Sequence, residues 1–387
     1  MFNKNNFFKS NFKKSKIFNK NLSKTKKVFK TLLEDLKNNK IPLLQSFEKD
    51  YEFSFSQEII KKFSRYENII IIGMGGSILG SKSIFSFFKK KIRKRVFFFD
   101  NLDFNLNLDY KKIENLKNSC FIVISKSGNT LETITNFKTI FSKKIFKKKL
   151  IVITELKDNK LMNIADKYDA EIIEHKEFIV GRYSVLSESA MFPSALMGLN
   201  LSKFKNLKIL IKNKNFVSSL IQNVASIYSL SQKHINNSVI LNYDSNLKDL
   251  SYWYQQLNAE SLGKKSKGIN PIVAFGPKDQ HSLLQLYLEG PKDKFFTFLN
   301  SSGKKIKGRN KINSVIQAQC LAVKNVFKAK KIPFREITFY KKTEKELGEV
   351  FTFFVLETIL LSKLTKVNPF NQPAVELVKN ETKRILR

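Results

Sequence analysis

Asn68-Ile69-Ile70-Ile71-Ile72 is a continuous β-branched run that leads straight into a cluster of glycines, and no other stretch limits the fold so tightly. A strand that is apolar at successive positions has both faces covered, as in a parallel sheet with helices above and below. Gly73, Gly75, Gly76 and Gly80 fall within eight residues, although the chain holds only 14 glycines in 387 residues. Its glycine content is about half the usual share of roughly 7%, so chance clustering is a poor account. Between a buried strand and the helical-looking stretch 77–90, such a turn lets backbone N–H groups approach an anion. Tight packing of strand on helix is the plainer reading of the same glycines.

The alternation continues. Val96–Asp100, Cys120–Ile124 and Leu150–Ile153 read as further strands, with a helix from Leu131 to about Lys144. A second series follows residue 200. Strands are expected at 238–243, 271–275, 295–299 and 334–339, and helices at 247–262, 281–288, 312–329 and 347–363. Alternating strand and helix predicts α/β architecture with two doubly wound, mainly parallel sheets. The expected division is a basic leader over 1–45, one domain over 46–200, a second over 201–365, and a helical tail over 366–387.

Composition excludes several classes. Apolar residues are 42% and charged residues 27%, as in an ordinary globular protein. No apolar run reaches the roughly 18 residues needed to span a membrane. Cys120 and Cys320 stand 200 positions apart in apolar surroundings. They read as core residues in a reducing, cytoplasmic setting. Residues 1–33 hold ten lysines and no acidic residue or arginine, which suits a partly helical leader better than an Arg-rich transit peptide. The net charge of +37 is spread along the whole chain. It reads as a lysine-rich solvated surface rather than a nucleic-acid module, and its field would draw in an anionic substrate.

Two familiar phosphate motifs fail. A dinucleotide fingerprint needs glycine where Ile78 stands, and a P-loop needs lysine where Ser81 stands. What remains is Gly-Met-Gly-Gly-Ser, with Ser77 at the helix start. A second loop, Ser125-Lys126-Ser127-Gly128-Asn129-Thr130, is followed by Glu132 and Thr133. An N-cap needs one hydroxyl. Several hydroxyls at a helix N-terminus after a buried strand instead suit a phosphomonoester.

These two loops resemble the sugar-isomerase (SIS) type of phosphosugar-binding domain. Three later blocks are similar to the glucose-6-phosphate isomerase family. They are Gly181-Arg182-Tyr183-Ser184-Val185-Leu186-Ser187, Glu260-Ser261-Leu262-Gly263-Lys264, and Gln280-His281-Ser282 with Gln285-Leu286. The tail Asn368–Lys379 resembles that family's C-terminal signature. The chain departs from the family pattern at Val180, Leu262, Asn371, Ala374 and Val378, and in a short loop before His281.

The resemblance implies reversible isomerisation of glucose 6-phosphate and fructose 6-phosphate, in glycolysis and gluconeogenesis, with no metal and no organic cofactor. It implies a homodimer in which His281 enters the neighbouring subunit's site. Ser77, Ser125, Lys126, Ser127, Thr130 and Thr133 fall where the family binds phosphate, and Gly75, Gly76 and Gln372 where it contacts substrate. Arg182 falls on the group that stabilises the enediolate, and Glu260 on the base. His281 and Lys379 fall on the groups associated with ring opening.

The residue types suit that chemistry. One carboxylate can take a proton beside a carbonyl and return it to the next carbon if water is excluded. A guanidinium stabilises the enediolate without changing its own protonation state. Ring opening needs a group that moves protons near neutral pH, as imidazole does. Read alone, Glu260 is a solvated helix-end carboxylate and Arg182 a surface charge. Lys379 is one lysine among many. His175 and His234 read as exposed loop or strand-end residues. Two alternatives remain: a bifunctional enzyme that also takes mannose 6-phosphate, suggested by Ser127-Gly128-Asn129, and a catalytically silent phosphosugar sensor. No partner membrane or nucleic acid is expected.

Overall fold

The computed structural model describes residues 15–106, 113, 116–140, 148–301 and 311–386. The start of the basic leader and the end of the helix expected over 131–144 lie outside the described residues.

The chain opens with α1 (Lys16–Lys37) and α2 (Gln57–Ser64). The first sheet then alternates with helices: β1 (Asn68–Gly73), α3 (Gly76–Phe88), β2 (Arg95–Phe99), β3 (Ser119–Ile124), α4 (Leu131–Ile140), β4 (Leu150–Thr154), α5 (Lys160–Tyr168) and β5 (Glu171–Glu174). Its strand order is β2-β1-β3-β4-β5 and every pairing is parallel. Every residue of β1 and β3 is buried, as the unbroken apolar runs require. Ile69 and Ile71 enter one core while Ile70 and Ile72 enter another, so the two faces of the sheet separate two apolar layers.

Next come α6 (Glu188–Leu196) and α7 (Lys214–Ser231). The second sheet follows with β6 (Asn237–Asn242), α8 (Lys248–Leu262), β7 (Asn270–Phe275), α9 (Gln280–Glu289), β8 (Lys294–Ser301), α10 (Lys311–Ala329) and β9 (Phe334–Phe339). Its order is β7-β6-β8-β9, again all parallel. The chain closes with α11 (Glu344–Thr365) and α12 (Pro373–Ile385). The expected strands and helices are therefore present, and β5, α2 and α5 to α7 are additional.

One core joins the two sheets. Ile71 of the first sheet and Ile240 of the second belong to the same buried cluster. Helix α11 lies within it and is apolar nearly all round, the signature of a helix with no solvent face. The leader is part of this packing. Asn21 of α1 donates to Ser229 Oγ (2.8 Å) and Gln232 Oε1 (2.7 Å), and Asp35 pairs with Lys363.

A buried ion pair holds α8 in place. Arg335 and Glu357 are both fully buried and bond to each other, and Arg335 Nη2 donates to Tyr254 Oη at 3.0 Å. Tyr254 donates in turn to Glu357 at 2.7 Å. Desolvation makes such a pair costly unless every partner is satisfied, as here. The network fixes the middle of the helix whose next two turns carry Gln256 and Glu260.

Candidate active site

Strand order reverses between β1 and β3, so their carboxyl ends open a crevice of the kind where α/β sheets bind ligands. Gly73 and Ile124 are paired at that edge, and a Cβ on Gly73 would lie 3.1 Å from Ile124 O. The glycine turn and the hydroxyl loop thus leave the sheet side by side.

In the hydroxyl loop, Ser125 Oγ and Thr130 Oγ1 share a hydrogen bond of 2.8 Å. Thr133 Oγ1 is buried without a hydrogen-bond partner. Ser127 Oγ accepts from Asn129 N at 3.3 Å. Gly128 has φ +65°, and a Cβ there would sit 1.8 Å from Asn159 Oδ1. Asn159 also caps α5 through Met162 N at 3.0 Å, so the loop is welded to the start of that helix. The Lys126 ammonium is engaged by Glu177 O (2.7 Å) and Glu155 (3.6 Å). Burial holds that ammonium below the usual lysine range.

The glycine turn does more than approach a ligand. A Cβ on Gly75 (φ +51°) would stand 2.8 Å from Gln256 Nε2, and one on Gly76 would stand 2.3 Å from the carbonyl carbon of Gly181. The plainer reading of these glycines, close packing, accounts for both. The packing places the turn between the Gln256 side chain and the 3-10 turn Gly181–Leu186 that carries Arg182. Ser77 lies in the first turn of α3 beside it.

Arg182 is 2% exposed and spends its guanidinium on several acceptors. Nε donates to Ser261 Oγ at 2.9 Å. Nη1 reaches Glu260 Oε2 at 3.2 Å and Gln372 Oε1 at 3.1 Å. Nη2 donates to Pro369 O and, at 3.0 Å, to Asn371 O. The other oxygen of Glu260 accepts from Gln256 Nε2 at 2.7 Å. The carboxylate is therefore oriented from both sides, while 29% of the side chain stays exposed. A cavity of about 620 Å³ opens beside Glu260 and Gln372, and a second of about 480 Å³ beside Glu260 and Gln256.

The structure thus joins Arg182, Glu260 and Gln372, and groups the hydroxyls of the 125–133 loop at the neighbouring crevice. Within one chain it does not join His281 or Lys379 to them. His281 is exposed in the first turn of α9 and lines neither cavity. Lys379 pairs with Glu376 at 2.7 Å on α12, a helix with no buried residue. His234 is exposed, as expected. His175 is not: it is 1% exposed and packed near Lys126, because the short strand β5 that precedes it carries it into the sheet. Gln256 and Lys264 are site residues that sequence reasoning missed. The signal for both was available, since they stand four residues either side of Glu260. Among the described residues no cluster of His, Cys, Asp and Glu could hold a metal ion.

Comparison with known proteins adds the following. The family model for phosphoglucose isomerase matches residues 53–292. A glucose-6-phosphate isomerase of Methanocaldococcus jannaschii is 31% identical over 382 residues, covering 93% of each chain. One from Campylobacter jejuni is 30% identical over 366 residues, covering 86% of this chain and 88% of its own. Among solved structures, a hypothetical protein of Thermus thermophilus superposes with a TM-score of 0.81 at 21% identity, over 98% of this chain and 100% of its own. A glucose-6-phosphate isomerase of Chlamydia trachomatis gives 0.71 at 20% identity, over 85% of this chain and 71% of its own. At those identities the structures show a shared fold.

Proposed function

Because the chain belongs to the phosphoglucose isomerase family, we propose that Glu260 is the base of its reaction, the reversible interconversion of glucose 6-phosphate and fructose 6-phosphate. The chain is an aldose–ketose isomerase. The observation that carries the assignment is the contact of Glu260 with the buried Arg182 guanidinium at 3.2 Å. A base and a fixed cation sit together where negative charge would develop.

The substrate phosphate lies among Ser77, Ser125, Ser127, Thr130 and Thr133, with the backbone N–H of Lys126. Unlike a neutral ligand, a phosphate would satisfy the orphaned Thr133 hydroxyl and the helix N-terminus together. Gly75 and Gly76, packed against Gln256 and Gly181, hold the turn where its backbone can meet the sugar. His281 and Lys379 act on the cyclic sugar, moving the anomeric hydroxyl proton to the ring oxygen as the C1–O5 bond breaks. Glu260 then takes the proton from C2 of the aldose, and the electron pair moves into an enediolate held by Arg182. The same carboxyl returns the proton to C1 as the O2 hydroxyl proton passes to O1, leaving the C2 carbonyl of the ketose. Gln256 and Gln372 hold the base and the guanidinium in register.

A homodimer supplies what one chain lacks. His281 is exposed and lines neither cavity of its own chain, which suits entry into a second copy's site. Residues 46–200 and 201–365 form the two domains, with 366–387 as the arm that brings Gln372 to Arg182. No helix among the described residues is long and apolar enough to cross a membrane. Two buried free cysteines suit a reducing cytoplasm and a place in glycolysis and gluconeogenesis.

The test is a coupled assay with fructose 6-phosphate, glucose 6-phosphate and mannose 6-phosphate. Turnover of the first two alone supports this reading. Comparable turnover of mannose 6-phosphate makes the enzyme bifunctional. Phosphosugar binding without turnover replaces the reading with a silent sensor.

A further inference from the structure

Lys264 lies one helical turn beyond Glu260 and uses all three of its ammonium protons on backbone carbonyls. Nζ donates to Glu260 O at 2.8 Å, to Ser261 O at 3.0 Å and to Asn368 O at 2.7 Å. The first two are last-turn carbonyls of α8, which have no partner inside the helix and attract a cation. The third belongs to the segment between α11 and α12, far along the chain from α8. That segment carries Gln372.

Arg182 grips the same segment from the other side, through Pro369 O, Asn371 O and the Gln372 side chain. Segment 368–372 is thus a strap held by two cations on carbonyls. It lacks helix or strand bonds of its own, and Asn368 and Asn371 are exposed. The arrangement brings two like charges together. Burial, and then the charge of Arg182, lower the Lys264 ammonium to about 8. A tight turn, with Lys264 N donating to Lys267 O at 3.1 Å and Lys267 N to Lys264 O at 3.0 Å, holds the lysine in place.

We propose that Lys264 is a positioning residue for the isomerisation: it clasps the 368–372 strap to the carboxyl end of α8 and so sets Gln372 and Arg182 against Glu260. It touches no reacting atom. The proposal rests on the reading of Glu260 and Arg182 given above.

The test compares Lys264→Met and Lys264→Arg with the wild-type protein on fructose 6-phosphate. Loss of the clasp leaves the phosphate loop intact, so KM should change less than about twofold while kcat falls roughly 10- to 100-fold, the scale of a small misplacement at a reacting centre. An arginine can donate to the same carbonyls, so Lys264→Arg should recover most of kcat. Hydrogen exchange in a peptide covering 366–375 should speed up in Lys264→Met and return toward wild type in Lys264→Arg. If Lys264→Met does not fold, Lys264→Gln takes its place with the same readouts. Unchanged kcat, a loss carried by KM, or unaltered exchange in the strap overturns the proposal. An inactive wild-type protein would instead overturn the reading of the site, and strap exchange would still report on the clasp.

Discussion

The guanidinium of Arg182 lies 3.2 Å from the carboxylate of Glu260, and its side chain is buried while that of the glutamate is 29% exposed. The cation is fixed by backbone carbonyls and Ser261, whereas the carboxylate keeps a face open to a cavity. That asymmetry is what a proton shuttle beside a rigid charge stabiliser needs.

Arg182→Lys should lower kcat by about 100- to 1,000-fold, the range for losing one fixed donor to a developing oxyanion. A lysine has no planar fork to span Glu260, Gln372 and the strap carbonyls at once. Steady-state kinetics should place the loss mainly in kcat. A loss confined to KM would move Arg182 from the reacting carbons to ground-state binding.

Thr130→Val removes the hydroxyl that bonds Ser125 at 2.8 Å. A hydrogen bond to a charged group is worth about 1.5–3 kcal/mol, so KM should rise about 10- to 100-fold with kcat nearly unchanged. A fall in kcat at constant KM would show that this loop acts on the chemistry rather than on the phosphate.

Gly76→Ala should destabilise the fold by about 2 kcal/mol or more. Its Cβ would meet backbone atoms of Gly181 and Arg182 at 2.3–2.5 Å, and backbone cannot swing aside. Gly181→Ala is the control, because a Cβ there meets nothing within 4 Å. Thermal or urea unfolding of the pair would decide; equal stabilities would mean that the turn yields freely.

His175 gives stability an acid limb. Burial, and then the charge of Lys126, lower its imidazole to about 4 from an ordinary 6.5. The unfolded chain takes up a proton below about 6.5 while the folded chain resists until about 4. The contribution is therefore complete above that window and is lost as pH falls through it. The loss is on the order of 3 kcal/mol. Unfolding measured from pH 7 to 4 should show this slope, and His175→Gln should flatten it. Identical profiles would contradict the assignment.

Much of this molecule is legible in its sequence because the signals are local. The run Ile69–Ile72 admits only a strand covered on both faces, and the middle of α11, from Val350 to Leu361, is mostly apolar and wholly buried. The edge strand β5 escapes because it has four residues, and glutamates close both ends. Helix α7 carries a legible apolar stripe, Phe216, Leu220, Val224 and Ile227, interleaved with polar residues that face inward and bond, as Asn223 does to Arg335 at 2.9 Å. The glycine cluster reads as ligand-facing in the sequence. In the fold Gly75 meets Gln256 and Gly76 meets Gly181, contacts that spacing along the chain does not reveal. Lys264 is legible in part: its place one turn past Glu260 can be read along the chain, but its bond to Asn368 O exists only in the fold.

The central claim is that one carboxylate, Glu260, moves the proton between C2 and C1. Fructose 6-phosphate incubated in deuterium oxide with wild-type protein and with Glu260→Gln, followed by proton NMR at C1, tests it directly. Exchange and isomerisation are expected with the wild type, and loss of both in the variant while phosphosugar binding persists. Exchange at C1 that continues at the wild-type rate in Glu260→Gln would contradict it.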